Sequence, residues 1–181
     1  ASVPPSPLPP RPAYAHEGWF LKHYYLAQDD FTGRKSELDF LTNWLQNSNN
    51  KPLLVLCALG GFGKSALVWH WLNNEAAPKT LPKVIWWGFY DDNSFDTFLR
   101  ETLEYLDIDP KALSISEQIE MLARYVHQNQ ILIVMDGFER ALRAYNSMNA
   151  AYQGDENDKS EVTNNQCVSI HAGSFLQRVA S

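Results

Sequence analysis

The ten residues 58–67, ALGGFGKSAL, set three glycines between two segments of different hydrophobic period, and that placement restricts the chain more than any other stretch. Before them stand Leu53, Leu54, Val55, Leu56 and Cys57, an unbroken apolar run bounded by Pro52 and the glycines. It is too short for a helix and reads as a buried strand. After them Ala66, Leu67, Val68, Trp71 and Leu72 recur at helical spacing. A strand, a glycine-rich turn and a helix in immediate succession are the start of a unit whose strands pair in parallel.

The same alternation continues along the chain. Residues 83–90, KVIWWGFY, are dense in β-formers, and residues 131–135, ILIVM, form a second apolar run that ends in Asp136, a carboxylate at a strand's C-terminal edge. Trp86 and Trp87 could stack on a base, but a half-buried strand pair is the simpler reading. A helix is expected from Arg34, with Leu38, Leu41, Trp44 and Leu45 on one stripe and NSNN ending it. Ser94 is the expected N-cap of a helix carrying Phe95, Phe98, Leu99, Leu103 and Leu106. Ser116 is the expected N-cap of another carrying Ile119, Leu122, Ala123 and Val126. The fold class is therefore α/β with a mostly parallel sheet.

Composition removes several function classes. With 181 residues, 45% of them apolar and 20% charged, the chain has the balance of one globular domain. A formal net charge of −6 gives no basic excess to attract a phosphodiester backbone, so no direct nucleic-acid partner is expected. Of the two cysteines, Cys57 is expected as a packing thiol inside the first strand and Cys167 as a loop thiol, which suits a reducing, cytoplasmic setting. No apolar run approaches the roughly 18 residues of a membrane helix. Residues 1–13 are a proline-rich stretch read as a stiff linker, and residues 14–181 are read as the domain it tethers. The aromatic-rich stretch 13–30 is expected to lie against that domain. Within it, 153–172 is read as a polar loop and 175–179 as a short closing helix.

Residues 58–65 fit the phosphate-loop pattern G-x-x-x-x-G-K-[ST] except that Ala58 replaces the first glycine; Gly63, Lys64 and Ser65 match. Gly60, Gly61 and Gly63 would let the backbone amides turn inward, and the helix that follows adds partial positive charge at its N-terminus. Lys64 would neutralise the β and γ oxygens of a nucleotide, ATP or ADP, and the Ser65 hydroxyl would join the shell of an Mg²⁺ ion. Such a loop needs a separate acid near the metal, which Asp136 supplies; Glu139, three positions on in DGFE, is placed to polarise a water in line with the γ-phosphate. The expected catalytic set is Lys64, Asp136 and Glu139, and the expected metal ligands are Ser65 and Asp136.

A third stretch, FTGR at 31–34, precedes the first helix. Together, DDFTGRKSELDFLTNWL, ALGGFGKSALVWHWL and LIVMDGFERAL resemble the leading motif, phosphate loop and Mg²⁺ strand of the signal-transduction NTPases with numerous domains, the STAND class of P-loop NTPases that includes NACHT and NB-ARC modules. VIWWGFYDDNSFDTFL is also similar to the second strand of bacterial members. The resemblance implies a P-loop three-layer α/β/α fold, with Phe31, Thr32, Gly33 and Arg34 against adenine and ribose. Gly33 would permit close approach. The cofactor contacts it implies in the loop are Gly60, Gly61, Phe62, Gly63, Lys64, Ser65 and Ala66. It further implies a strand bearing a γ-phosphate sensor between the 53–57 strand and the 131–135 strand. That sensor strand would follow SFLQRVAS, so the chain reads as the N-terminal part of such a domain, truncated before it. By the same resemblance the chain is an ATP/ADP-dependent switch in a cytoplasmic signalling or antiviral defence protein. Slow ATP hydrolysis would gate self-association, with an effector domain upstream and a sensor domain downstream. Two other readings stay open: a P-loop kinase or phosphotransferase, and a nucleotide-bound scaffold that has lost hydrolysis.

Overall fold

A computed structural model describes residues 18–22, 31–47, 51–141 and 169–181. Three parallel strands form one sheet in the order β1 (Trp19–Lys22), β2 (Lys83–Gly88), β3 (Ile131–Asp136). The register runs Trp19 beside Val84, Lys83 beside Ile131 and Gly88 beside Asp136. β2 is the middle strand, and its composition explains why: KVIWWG is buried along almost its whole length, as a strand covered on both faces must be.

Side chains alternate across the sheet with period two and seed two cores. Val84 and Trp86 of β2, with Trp19, Leu21, Leu132 and Val134, face α1 (Lys35–Gln46) and α2 (Lys64–Asn74). Ile85 and Trp87, with Phe20, Ile133 and Met135, face α4 (Phe95–Tyr105), α5 (Ile115–Gln128) and α6 (Ile170–Ala180). A short helix, α3 (Ala76–Lys79), leads into β2. Helices thus cover both faces of a parallel sheet, the α/β class expected. Trp86 and Trp87 are buried on opposite sides, so neither offers an exposed face for stacking a base.

Helix boundaries follow from local chemistry. The Ser94 hydroxyl caps α4 by accepting from the Thr97 amide at 3.2 Å. The cap of α5 is Ser114, not Ser116: Ser114 Oγ accepts from the Glu117 amide at 3.3 Å, and the Glu117 carboxylate accepts from the Ser114 amide at 2.8 Å. That reciprocal box needs an acid three residues on; Ser114 has Glu117, whereas Ser116 has Ile119. α6 is longer than the 175–179 helix expected: it is capped by Ser169, and residues 170–172 belong to it rather than to the polar loop. The expected linker 1–13, Cys167 and residues 153–168 of the polar loop lie outside the described residues.

Two expectations need correction. The aromatic stretch contributes a paired strand, β1, not merely a packed segment. Conversely, residues 53–57 join no strand among the described residues, and β3 has β2 as its one described neighbour. Only one side of that run is covered: Leu54 and Leu56 pack toward the α1/α2 core, while Val55 is 69% exposed and Cys57 is exposed rather than a packing thiol.

Candidate functional site

In parallel sheets the connections at the C-terminal ends of the strands form the binding rim. Here that rim is narrow and well defined. The Phe89 amide donates to the Asp136 carbonyl at 2.8 Å, which carries the β2–β3 ladder to its end. β2 then exits into Tyr90, and β3 exits through Gly137 into a 3₁₀ turn, Phe138–Ala141. The first turn of α2 closes on the same point: Ser65 Oγ donates to Asp136 Oδ1 at 2.7 Å across 71 residues of sequence. The two residues expected to share a metal are therefore in contact.

The loop before α2 makes its turn at Gly61 (φ 79°) and Gly63 (φ 69°), a left-handed backbone that a side chain would strain. Gly60 is not in that conformation and has open space at its Cβ position. Gly63 is also the N-cap of α2 and carries no side chain to satisfy the first helical amides, which leaves those donors and the helix dipole facing the loop. Lys64 Nζ lies back on the loop and donates to the carbonyls of Ala58 at 2.8 Å and Leu59 at 3.3 Å. Ala66 is half-buried in the first helical turn, and the Phe62 ring is 57% exposed.

The leading segment reaches this loop from the other side. Arg34 Nη2 donates to the Phe62 carbonyl at 2.5 Å, and its guanidinium lies about 4 Å from where a Cβ on Gly63 would be. The Phe31 ring stacks on His70 of α2, centroids 4.2 Å apart. Gly33 turns at φ 83° and has open space at its Cβ position. Thr32 is exposed. Phe31 and Arg34 thus bind this segment to α2 and the loop, and two cations, Arg34 and Lys64, flank one helix N-terminus.

Glu139 is exposed in the 3₁₀ turn, and its partner was absent from the sequence reading: Tyr90 Oη donates to Glu139 Oε1 at 2.7 Å. The Arg140 guanidinium lies over the Tyr90 ring at 4.6 Å. The bond to Glu139, partial burial, and the negative charges of Glu139 and Asp136 push the Tyr90 phenol up to about 12, against a smaller opposing effect of Arg140. No spacing rule joins two residues 49 apart; the one available signal was that both follow apolar strands.

Among the described residues no group of three or more His, Cys, Asp or Glu gathers to hold a metal. The Ser65–Asp136 pair nonetheless fits Mg²⁺, which takes one or two protein oxygens and fills its octahedron with phosphate and water. No described helix is long and apolar enough to cross a membrane. Comparison with protein-family models, with curated proteins and with solved structures finds no match to this chain. Fold and site together define an α/β unit whose parallel strands aim an acid, Asp136, at the N-terminus of a helix opened by a glycine-rich loop.

Proposed function

We propose that the chain is an ATP- or ADP-binding switch module that holds Mg-nucleotide at residues 61–65 and hydrolyses ATP slowly. The observation that carries the reading is the 2.7 Å contact between Ser65 and Asp136. Motif spacing had assigned both to one metal, and folding brings them together from opposite halves of the described chain. Lys64 supports it as well: a flexible ammonium resting on two loop carbonyls can transfer its hydrogen bonds to phosphate oxygens without rebuilding the backbone. The open amides at Gly63 and the start of α2 supply further donors. Mg²⁺, when bound, offsets charge on the β and γ oxygens. Ser65 and Asp136 hold it, Arg34 and Phe31 carry the leading segment toward the nucleotide, and Glu139 orients the water and takes its proton.

In this reading the two nucleotide states differ in affinity for two conformations, and the ATP state self-associates within a larger cytoplasmic signalling or defence protein with effector and sensor domains. Lys64→Ala is expected to weaken Mg-ADP binding at least tenfold, about 1.4 kcal/mol, in titration calorimetry. Unchanged affinity would remove the assignment. Asp136→Ala should abolish the Mg²⁺ dependence of binding, whereas Glu139→Gln should leave affinity intact and slow hydrolysis.

A further inference from the structure

We propose that Tyr90 is the positioning residue for Glu139: its hydroxyl holds the carboxylate in place at the rim of the sheet. The inference rests on Glu139 being the water-orienting group and names the device through which β2 controls it. Glu139 sits exposed in a four-residue 3₁₀ turn, where a free glutamate side chain samples several rotamers. The phenol comes from a different element, the exit of β2, whose backbone is fixed to β3 through the Phe89–Asp136 bond.

The ring is itself held by the turn that carries Glu139. On one side of that glutamate, Gly137 makes room: a Cβ there would stand 2.4 Å from Tyr90 Cε2. On the other, Arg140 places its guanidinium 4.6 Å from the ring centroid and its Nη1 3.4 Å from the Tyr90 carbonyl. Residues 137, 139 and 140, at the exit of β3, therefore grip a single side chain at the exit of β2. A phenol that stays protonated far above neutrality is a permanent donor, so Glu139 Oε1 is held while Oε2 meets the water. In the step this serves, water oxygen bonds to the γ-phosphorus as the bond to the bridging oxygen breaks. The electron pair leaves with ADP, and the water's proton passes to Glu139.

The test compares the 181-residue chain with Tyr90→Phe, Glu139→Gln and the double variant. Single-turnover Mg-ATP hydrolysis and Mg-ADP affinity are measured in each. The Tyr90 phenol is titrated by NMR of its ring carbon in the parent and in Glu139→Gln. Tyr90→Phe should slow hydrolysis about tenfold at unchanged affinity, as loss of orientation does. In Glu139→Gln the Tyr90 phenol should titrate at a lower pH than in the parent, because the bond to the carboxylate is the largest cause holding its proton. The double variant should be no slower than Glu139→Gln alone, since the phenol acts only through the carboxylate. Parental speed in Tyr90→Phe beside a slow Glu139→Gln overturns the positioning role and leaves the base standing. Parental speed in Glu139→Gln removes the base and this inference with it. If the parent shows no turnover, the titration decides: a Tyr90 phenol unmoved by Glu139→Gln overturns the proposal, and a lowered one upholds it.

Discussion

The phenol of Tyr90 keeps its proton to about pH 12, against 10.0 for an ordinary tyrosine, and the sign of the linked stability follows. A folded-state pKa raised above the unfolded value favours folding fully below pH 10 and loses that contribution as pH climbs from 10 through about 12. Because the ring is 46% exposed, solvent screens part of the effect. Denaturant midpoints followed through that alkaline window should fall less in Tyr90→Phe than in the parent; equal falls would place the titration elsewhere. Gly137 gives a second check at this scale. An alanine there must adopt φ near 71° and meet the Tyr90 ring, so Gly137→Ala should cost at least about 1–2 kcal/mol and release the phenol to titrate near its ordinary value. Lys64, Ser65 and Asp136 were legible in the sequence because each is defined by adjacency to a glycine or to a strand end. Tyr90 was not, since its role arises from a contact between two strand exits that only the β2–β3 register creates.

Among elements, α5 shows what a cap contributes. The Ser114 hydroxyl and amide hold the Glu117 carboxylate below the usual 4.5, so this contribution is present above that pH and is lost as pH falls through the lowered value. Ser114→Ala should destabilise the fold by about 1 kcal/mol, whereas Ser116→Ala should stay within about 0.5 kcal/mol; thermal unfolding of the two variants settles which serine is the cap. The helices were readable because their stripes are local: Phe95, Phe98, Leu99 and Leu103 declare one face of α4 within three turns. Strands were less so. GWFLKHYY has no clean alternation, and Trp19–Lys22 becomes a strand because β2 offers it a partner. The 53–57 run has the apolar composition of a buried strand but finds no described partner, and composition alone cannot supply one.

At the scale of the molecule, β2 divides the two cores and is the strand paired on both sides, with Val84, Ile85 and Trp86 fully buried. Its amides should open only when both helical layers separate from the sheet, so their hydrogen exchange should report global unfolding. Residues 53–57 stand in the opposite condition. Their side chains cover the α1/α2 core on one side only, Val55 is 69% exposed, and no described strand accepts their backbone. Backbone donors in such a segment satisfy themselves with water, because a buried unpaired amide would cost about 1–3 kcal/mol each. β3 has no described strand on its other side. In the chain as it stands, the 53–57 amides should therefore exchange orders of magnitude faster than those of β2, by a local opening insensitive to Leu99→Ala. That core truncation should speed β2 exchange in proportion to the roughly 2–5 kcal/mol it removes from global stability. Protection of 53–57 equal to that of β2 would mean that the run is paired in solution, with β3 or with another chain, and a concentration series of the same exchange measurement distinguishes the two.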